Sequence, residues 1–415
     1  MDQTADILVL GGGAAGFFAA IHAKASKPGA NVVILEKSNK VLAKVLISGG
    51  GRCNVTHNDT DNSSLIKNYP RGRALLKWPL RKWGVTNTIR WFERHGVMLK
   101  TEEDGRMFPE SDSSESIAGA LTDEVSRLGI PWHLRSGVSR IEQAESHFEV
   151  YLDNGNLWNA RRVIVACGGF PKLESYAFLQ NLGLEIVPPV PSLFTFDIKD
   201  PKLHELMGIS TLGSRVKAEG MEAEDGQGWF EGPVLITHWG LSGPAVLKAS
   251  AWLARGLYDK KYNFRLFTDW SGLGEEKARE SLISLWLMNA AKQVGNVSPF
   301  GMASRLWGYL LQRAGVPADK LCRDLTKHER NKLVELCVRC PFDVRGKTTF
   351  KEEFVTAGGV ASQEVEKDSM ESKKVPGLFF AGEILDIDGI TGGFNFQAAW
   401  STGQMAGVSA AHSLR

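Results

Sequence analysis

The chain has 415 residues, 43% hydrophobic and 23% charged, which excludes disordered and fibrous classes and predicts about two to three domains. Forty-nine Lys and Arg against 47 Asp and Glu leave a net charge of +2, too small an excess for general nucleic-acid binding. Five cysteines, at 53, 167, 322, 337 and 340, argue for a reducing compartment and against a disulfide framework.

The first apolar run, Ile7 to Ile21, lacks a positive leading segment and is broken by three glycines. At 15 residues it is shorter than the roughly 20 that a membrane span needs. The expectation is a cytoplasmic protein without a membrane partner.

Ala5-Asp-Ile-Leu-Val-Leu10 predicts a buried parallel strand ending at glycine. Gly11-Gly-Gly13-Ala14-Ala15-Gly16 follows and fits G-x-G-x-x-G; a helix is expected over 17–25 and a second strand over 31–35, with Glu36 and Lys37 at its end. Gly11 permits the tight turn, Gly13 admits a pyrophosphate to backbone N–H groups, and Gly16 lets helix and strand approach closely. Glu36, 20 residues after Gly16, is placed to accept from ribose hydroxyls. The whole strand–helix–strand–acid series predicts dinucleotide binding, whereas the glycines alone would equally suit a turn.

Three later segments bear on which dinucleotide. Lys44 to Asn54 carries a second glycine cluster, and Lys44, Ser48, Gly49, Gly50, Arg52, Cys53 and Asn54 suit a second polar surface for an extended cofactor; an ordinary polar loop is the other reading. Next, 137–141, 147–153 and 162–169 read as a β-meander turning at Asn154-Gly155. The arrangement is similar to the adenine-side layout of two-dinucleotide-binding-domain flavoproteins, which implies Val138 at the adenine and Ala166, Cys167 and Gly168 near the pyrophosphate. Last, a strand runs into Ala381-Gly382-Glu383, with Asp388 beyond it, and a helix is expected over 397–411. Gly392, Gly393, Phe394 and Asn395 precede that helix and suit the polar edge of an isoalloxazine ring. Together these segments favour FAD over NAD as the bound cofactor.

Pro188, Pro189 and Pro191 mark a boundary. Strands are expected at 194–198, 214–218, 234–237 and 262–267, and helices over 274–339. The predicted organisation is a discontinuous FAD-binding domain (1–190 and 346–415), an inserted β-rich substrate or cap domain (191–272) and an inserted helical subdomain (273–345). The fold class is α/β, with a Rossmann-like FAD-binding domain.

The chain resembles the BaiN-like (YhiN-like) NAD(P)/FAD-dependent oxidoreductase flavoproteins nearly end to end. The resemblance is carried by the glycine motif at 11–16, Ser48-Gly-Gly-Gly-Arg-Cys-Asn54, Gly105-Arg-Met-Phe-Pro109, Thr237-His-Trp-Gly-Leu-Ser-Gly-Pro244, Thr356-Ala-Gly-Gly-Val360, Ala381-Gly-Glu-Ile-Leu-Asp-Ile-Asp-Gly389 and Thr391-Gly-Gly-Phe-Asn395. It implies a Rossmann-like FAD domain of the glutathione-reductase type with an inserted domain, and an FAD-dependent redox enzyme. One branch of that family is associated with reducing double bonds conjugated to a ketone in bile-acid intermediates. Tyr69-Pro-Arg71 and Trp239 look more like a branch with no assigned substrate, so no substrate carries over.

Candidate catalytic residues are His238, Arg106 and Cys53. His238 precedes a glycine-rich turn and is the best placed of nine histidines for proton donation; a structural histidine is the alternative. Arg106 suits a substrate carboxylate or the flavin, or is a plain loop arginine. Cys53 lacks a Cys-x4-Cys partner, which favours a packed thiol over a redox one. Leu333, Leu336, Cys337 and Cys340 recur at helical spacing, which favours core over a dithiol, and no metal site is expected. No second dinucleotide motif is visible, so NAD(P)H enters only as a transient donor. The expected function is hydride transfer between flavin and a small organic substrate, with no nucleic-acid partner and an unknown oligomeric state. The rivals are an oxygen-using amine or amino-ketone oxidase and a flavin-dependent RNA-modifying protein.

Overall fold

The computed structural model describes residues 3–223, 226–348 and 355–414. The chain divides into two compact units: Met1–Pro191 with Lys351–Arg415, and Ser192–Phe350.

The first unit is built on a seven-stranded sheet. Strand β1 (Gln3–Leu10) lies at its centre, parallel to β2 (Val32–Leu35) on one side and to Leu157–Val165 on the other. The apolar run of β1 is buried from Ile7 to Leu10 because both sheet faces are covered. Helix α1 (Ala14–Ser26) makes the crossover between the parallel strands β1 and β2, and starts three residues earlier than the sequence suggests. The meander Val138–Gln143, Phe148–Leu152 and Leu157–Val165 is antiparallel. On the edge away from β1 its last strand serves two partners: Leu157 to Ala160 pair with Phe148 to Tyr151, and Val163 to Val165 pair in parallel with Leu378–Phe380. The late C-terminal strand thus returns one strand away from β1, 368 residues after it, and closes the discontinuous unit.

The C-terminal helix runs over Phe394–Ser413, longer than expected at both ends. It packs along α1. A Cβ on Gly403 would lie 2.7 Å from the Ala15 carbonyl oxygen, and one on Gly407 would lie 2.2 Å from that of Ala19. Only hydrogen fits at that contact, and the matching order of the pairs shows that the two helices run parallel.

In the segment at 43–51, a short helix begins at Ala43, and Ser48, Gly49 and Gly50 leave helical geometry. Two strands missed by sequence reading, Ile186–Ser192 and Val355–Val360, form a small sheet of their own. The prolines expected to mark a boundary lie within the first of these, where their fixed φ suits extended chain.

The second unit holds an eight-stranded antiparallel sheet in which Thr195–Ile198, Cys340–Thr348 and Asn263–Asp269 are neighbours. Helices Glu275–Met288, Ser304–Ala314 and Lys327–Val338 share one apolar core with that sheet, running from Phe194 to Val344. The expected division at residue 272 has no counterpart in this core. Strand Cys340–Thr348 also runs past the expected boundary at 345, since its pairing with Asn263–Asp269 continues through Arg345. Among the described residues no helix is long and apolar enough to cross a membrane.

Candidate functional site

The glycine motif sits where β1 turns into α1. A Cβ on Gly16 would lie 1.9 Å from the Gly11 carbonyl oxygen, so the helix can meet the strand end only at glycine. Gly13 differs: a Cβ there would meet nothing within 4 Å. Space is therefore open beside the N-terminus of α1, whose N-cap is Gly13 and whose first N–H groups have no side-chain cap.

Glu36 is held over this turn. One carboxylate oxygen accepts from Gly12 N at 2.7 Å and the other from Ser38 N at 2.7 Å. Lys37 stands beside Gly137, next to Val138, and its ammonium lies 5.0 Å from the centre of the Phe170 ring. Ala166 and Cys167 abut Gly11, while Gly168 faces open space. The Cys167 thiol points to the Leu10 carbonyl oxygen at 3.3 Å, and burial pushes its pKa up to about 12.

Gly382 packs on Ala15, and its N–H donates to Thr402 Oγ1 at 2.9 Å. Glu383 joins three segments: its carboxylate meets the Lys44 ammonium at 2.8 Å and accepts from Thr356 N at 2.8 Å. Thr356 Oγ1 lies beside Gly169 and Glu383, fully buried and without a hydrogen-bond partner among the described residues. A buried hydroxyl in that state costs about 1–3 kcal/mol unless something fills its valence.

The loop before the C-terminal helix is braced from four sides. Asn395 accepts from Gly389 N at 2.8 Å and donates to Gly389 O at 3.0 Å. With its amide oriented to suit its neighbours, Asn54 donates to Met107 O and Thr56 O and accepts from Gly393 N at 3.0 Å. The His57 ring stacks on Phe394 at 4.7 Å, with Nδ1 3.2 Å from Gly392 O. Arg71 makes a two-pronged ion pair with Asp388, which is fully buried. Tyr69 donates to Phe394 O at 2.8 Å. Gly393 caps the helix without a side-chain bond, so this second helix start also presents uncapped N–H groups. Ala15 is the second residue of α1 and its neighbour Gly403 the tenth of the C-terminal helix, so that helix begins about 12 Å further out along the shared direction.

This arrangement fits an extended dinucleotide. Two uncapped helix starts follow one another, Glu36 is held over the first, and Glu383 with the Thr356 hydroxyl follows Gly382, which packs on the same helix. Asp388 and Asn54, expected to touch the cofactor, spend their polar atoms on Arg71 and on Gly393 and so shape the loop.

Ser48 donates to Val45 O at 3.0 Å, and Gly49 and Gly50 adopt the left-handed conformation. Arg52 pairs with Glu102 at 2.7 Å and lies over Phe108. Cys53 is fully buried, and burial pushes its thiol up to about 12, so it carries no thiolate near neutrality. Arg106 is committed to Asp104 at 2.7 Å and Glu102 at 2.8 Å. His238 lies in the second unit, in the turn between Val234–Ile236 and Gly240–Ser242, exposed and 4.5 Å from the Trp239 ring. Cys337 ends a helix and Cys340 opens a strand; both are buried, and burial pushes the Cys340 thiol up to about 11. The helical spacing expected to include Cys340 stops at Val338, because the chain there joins the sheet. Among the described residues no group of three or more His, Cys, Asp or Glu is placed to hold a metal ion.

Sequence reading missed His57, Tyr69, Arg71 and Thr356 as parts of the site. Their partners lie 335, 325, 317 and 27 residues away, so no local spacing reports them. Tyr69 and Arg71 carried one signal, as part of a motif that marks a branch of the family.

The chain matches the family described as "HI0933-like protein Rossmann domain" over residues 5–409. It is 30% identical to the 3-dehydro-bile acid delta(4,6)-reductase of Clostridium scindens, over 97% of this chain and 98% of that protein. It is also 30% identical to the ribosomal RNA dihydrouridine synthase of Escherichia coli K12, over 96% of each. Among solved structures it is similar in fold to a 3-ketosteroid-delta4-(5alpha)-dehydrogenase from Rhodococcus jostii RHA1, with a TM-score of 0.54 at 18% identity, covering 99% of this chain and 97% of that one.

Proposed function

The chain belongs to the HI0933-like Rossmann-domain family, and from that premise we propose that it is an FAD-dependent oxidoreductase that reduces a carbon–carbon double bond conjugated to a carbonyl, using NAD(P)H. The observation that carries the cofactor reading is the pair of uncapped, parallel helix starts about 12 Å apart. Bound FAD supplies a two-electron carrier whose N5 takes and returns a hydride.

The protein's own part is to bind and orient. The open space at Gly13 admits the pyrophosphate to the start of α1. Glu36, already fixed by two backbone N–H groups, has lone pairs left for ribose hydroxyls. Lys44, Glu383 and Thr356 line the path between the two helix starts, and the braced loop presents the N–H groups of Phe394 and Asn395, at the start of its helix, to the ring edge. Of the candidate catalytic residues, Cys53 is a buried thiol and Arg106 is held by two carboxylates.

Two relatives' names support the bond class. A 3-dehydro bile acid unsaturated at C4 and C6 carries its double bonds in conjugation with the C3 ketone. The uridine double bond lost in dihydrouridine is conjugated to the C4 carbonyl. For such a bond in this chain's substrate, a hydride enters at the β carbon and a proton at the α carbon, the two electrons coming from NAD(P)H.

Anaerobic titration tests this. NADH or NADPH is expected to bleach the flavin stoichiometrically, and a conjugated enone is expected to restore its colour without oxygen. Reduction by neither nucleotide, or recovery only on admitting oxygen, contradicts the reading and favours the oxidase.

A further inference from the structure

Charge is not spread evenly along the chain. Eight of its 49 Lys and Arg residues, but only one of its 47 Asp and Glu residues, lie between 67 and 94. The whole-chain value of +2 hides this segregation. The stretch folds as two consecutive ten-residue helices, Arg73–Lys82 and Val85–Arg94, each with one buried face. Leu75, Leu76, Pro79 and Leu80 turn inward from the first, and Val85, Thr88, Trp91 and Phe92 from the second.

The basic side chains fall on the other faces. Arg73, Lys77 and Arg81 recur at i, i+4 and i+8, one stripe with steps of about 6 Å along the axis. Arg90 and Arg94 repeat the spacing on the second helix. Lys67, Lys77, Arg81, Lys82, Arg90 and Arg94 are all exposed. Among the described residues no carboxylate pairs with any of these six, although Arg52, Arg106 and Arg127 elsewhere in the unit each hold one. Trp78 stands half-buried beside the stripe, its ring 5.5 Å from the Arg81 guanidinium and 4.9 Å from the Lys367 ammonium.

A row of unneutralised cations is costly to leave bare and is complementary to a row of phosphates; releasing the counterions that phosphates hold is the main source of such affinity. An indole among the cations adds a surface on which a base can stack. The hairpin is also tied to the proposed cofactor site, because Arg71, just ahead of the first helix, holds Asp388, and Tyr69 holds Phe394. We infer that the outward face of the helical pair 73–94 is a docking surface for RNA, gripping the phosphate backbone with Lys77, Arg81, Lys82, Arg90 and Arg94 and a base with Trp78. The inference rests on the reductase reading only for its purpose, since it places a polynucleotide beside the site where a base would be reduced.

The test is fluorescence anisotropy of a labelled RNA stem-loop with the full-length holoprotein at several salt concentrations. With about five phosphate contacts, the logarithm of the binding constant should fall against that of salt with a slope of roughly −3.5 to −4.5. Lys77→Glu with Arg81→Glu should weaken binding at least about tenfold and make the slope shallower by about two. Trp78→Ala should weaken it about tenfold with the slope unchanged. Lys260→Glu with Lys327→Glu, in the second unit, should change neither. The inference is overturned if the stem-loop does not bind at low salt, if the control pair costs as much as the hairpin pair, or if only vesicles of anionic phospholipid bind. Flavin content and NAD(P)H bleaching are read on the same preparations. A variant that keeps both but loses RNA separates docking from the reductase reading, and a wild type that keeps both without binding RNA removes the docking alone.

Discussion

Gly13→Glu is expected to give a folded but colourless protein. A Cβ at Gly13 has nothing within 4 Å, and its φ of −94° suits any residue. The N-cap position tolerates the change, so the cost to the apoprotein should stay below about 1 kcal/mol. The new carboxylate would stand where the pyrophosphate is proposed to lie. Like charges brought together cost several kcal/mol, which is a loss in FAD affinity of about 100-fold or more. Circular dichroism and a flavin-binding titration check both halves. Gly16→Val is the contrast: its side chain would run into the Gly11 carbonyl, so that variant should fail to fold rather than fail to bind. A yellow Gly13→Glu protein with wild-type affinity would move the cofactor away from this turn.

The second large effect concerns the ion pair beneath the other helix start. Arg71→Ala leaves Asp388 fully buried and without its main counter-charge. Breaking one side of such a pair costs about 3–5 kcal/mol, because the remaining charge keeps its desolvation penalty. Urea unfolding of the apoprotein should report that loss, and flavin retention should fall with it, since Asp388 anchors the loop that runs to Phe394. Replacing both partners with apolar residues, Arg71→Met with Asp388→Leu, removes the buried charge altogether and should recover most of the stability. If the single and double variants are equally unstable, the pair is not what braces the loop.

The contrast between what was legible and what was not has a physical basis. The β1–α1–β2 unit was legible because a buried parallel strand, a glycine turn and an acidic strand end follow each other within 36 residues, each with its own local signal. The C-terminal strand and helix were legible for the same reason. Arg71 with Asp388 and His57 with Phe394 were not, because each pair exists only after more than 300 residues of chain have folded back. Asn54 and Asp388 were assigned to the cofactor because polar residues in glycine-rich loops suit ligands; their protein partners, Gly393 and Arg71, had no local signal. Strand Cys340–Thr348 was hidden by its cysteine, which continued a helical pattern up to the point where sheet pairing took over. The basic face of the helices 73–94 escaped because the chain was weighed as a whole, and acids elsewhere cancel it.

The central claim is that segments hundreds of residues apart in sequence converge to hold one flavin dinucleotide. The measurement that meets it most directly is the visible absorption spectrum of the purified protein, followed by mass analysis of whatever heat denaturation releases. The account predicts a flavin spectrum and the release of FAD in about equal amount to protein. A preparation without flavin absorption, and still without it after incubation with added FAD, would contradict the account.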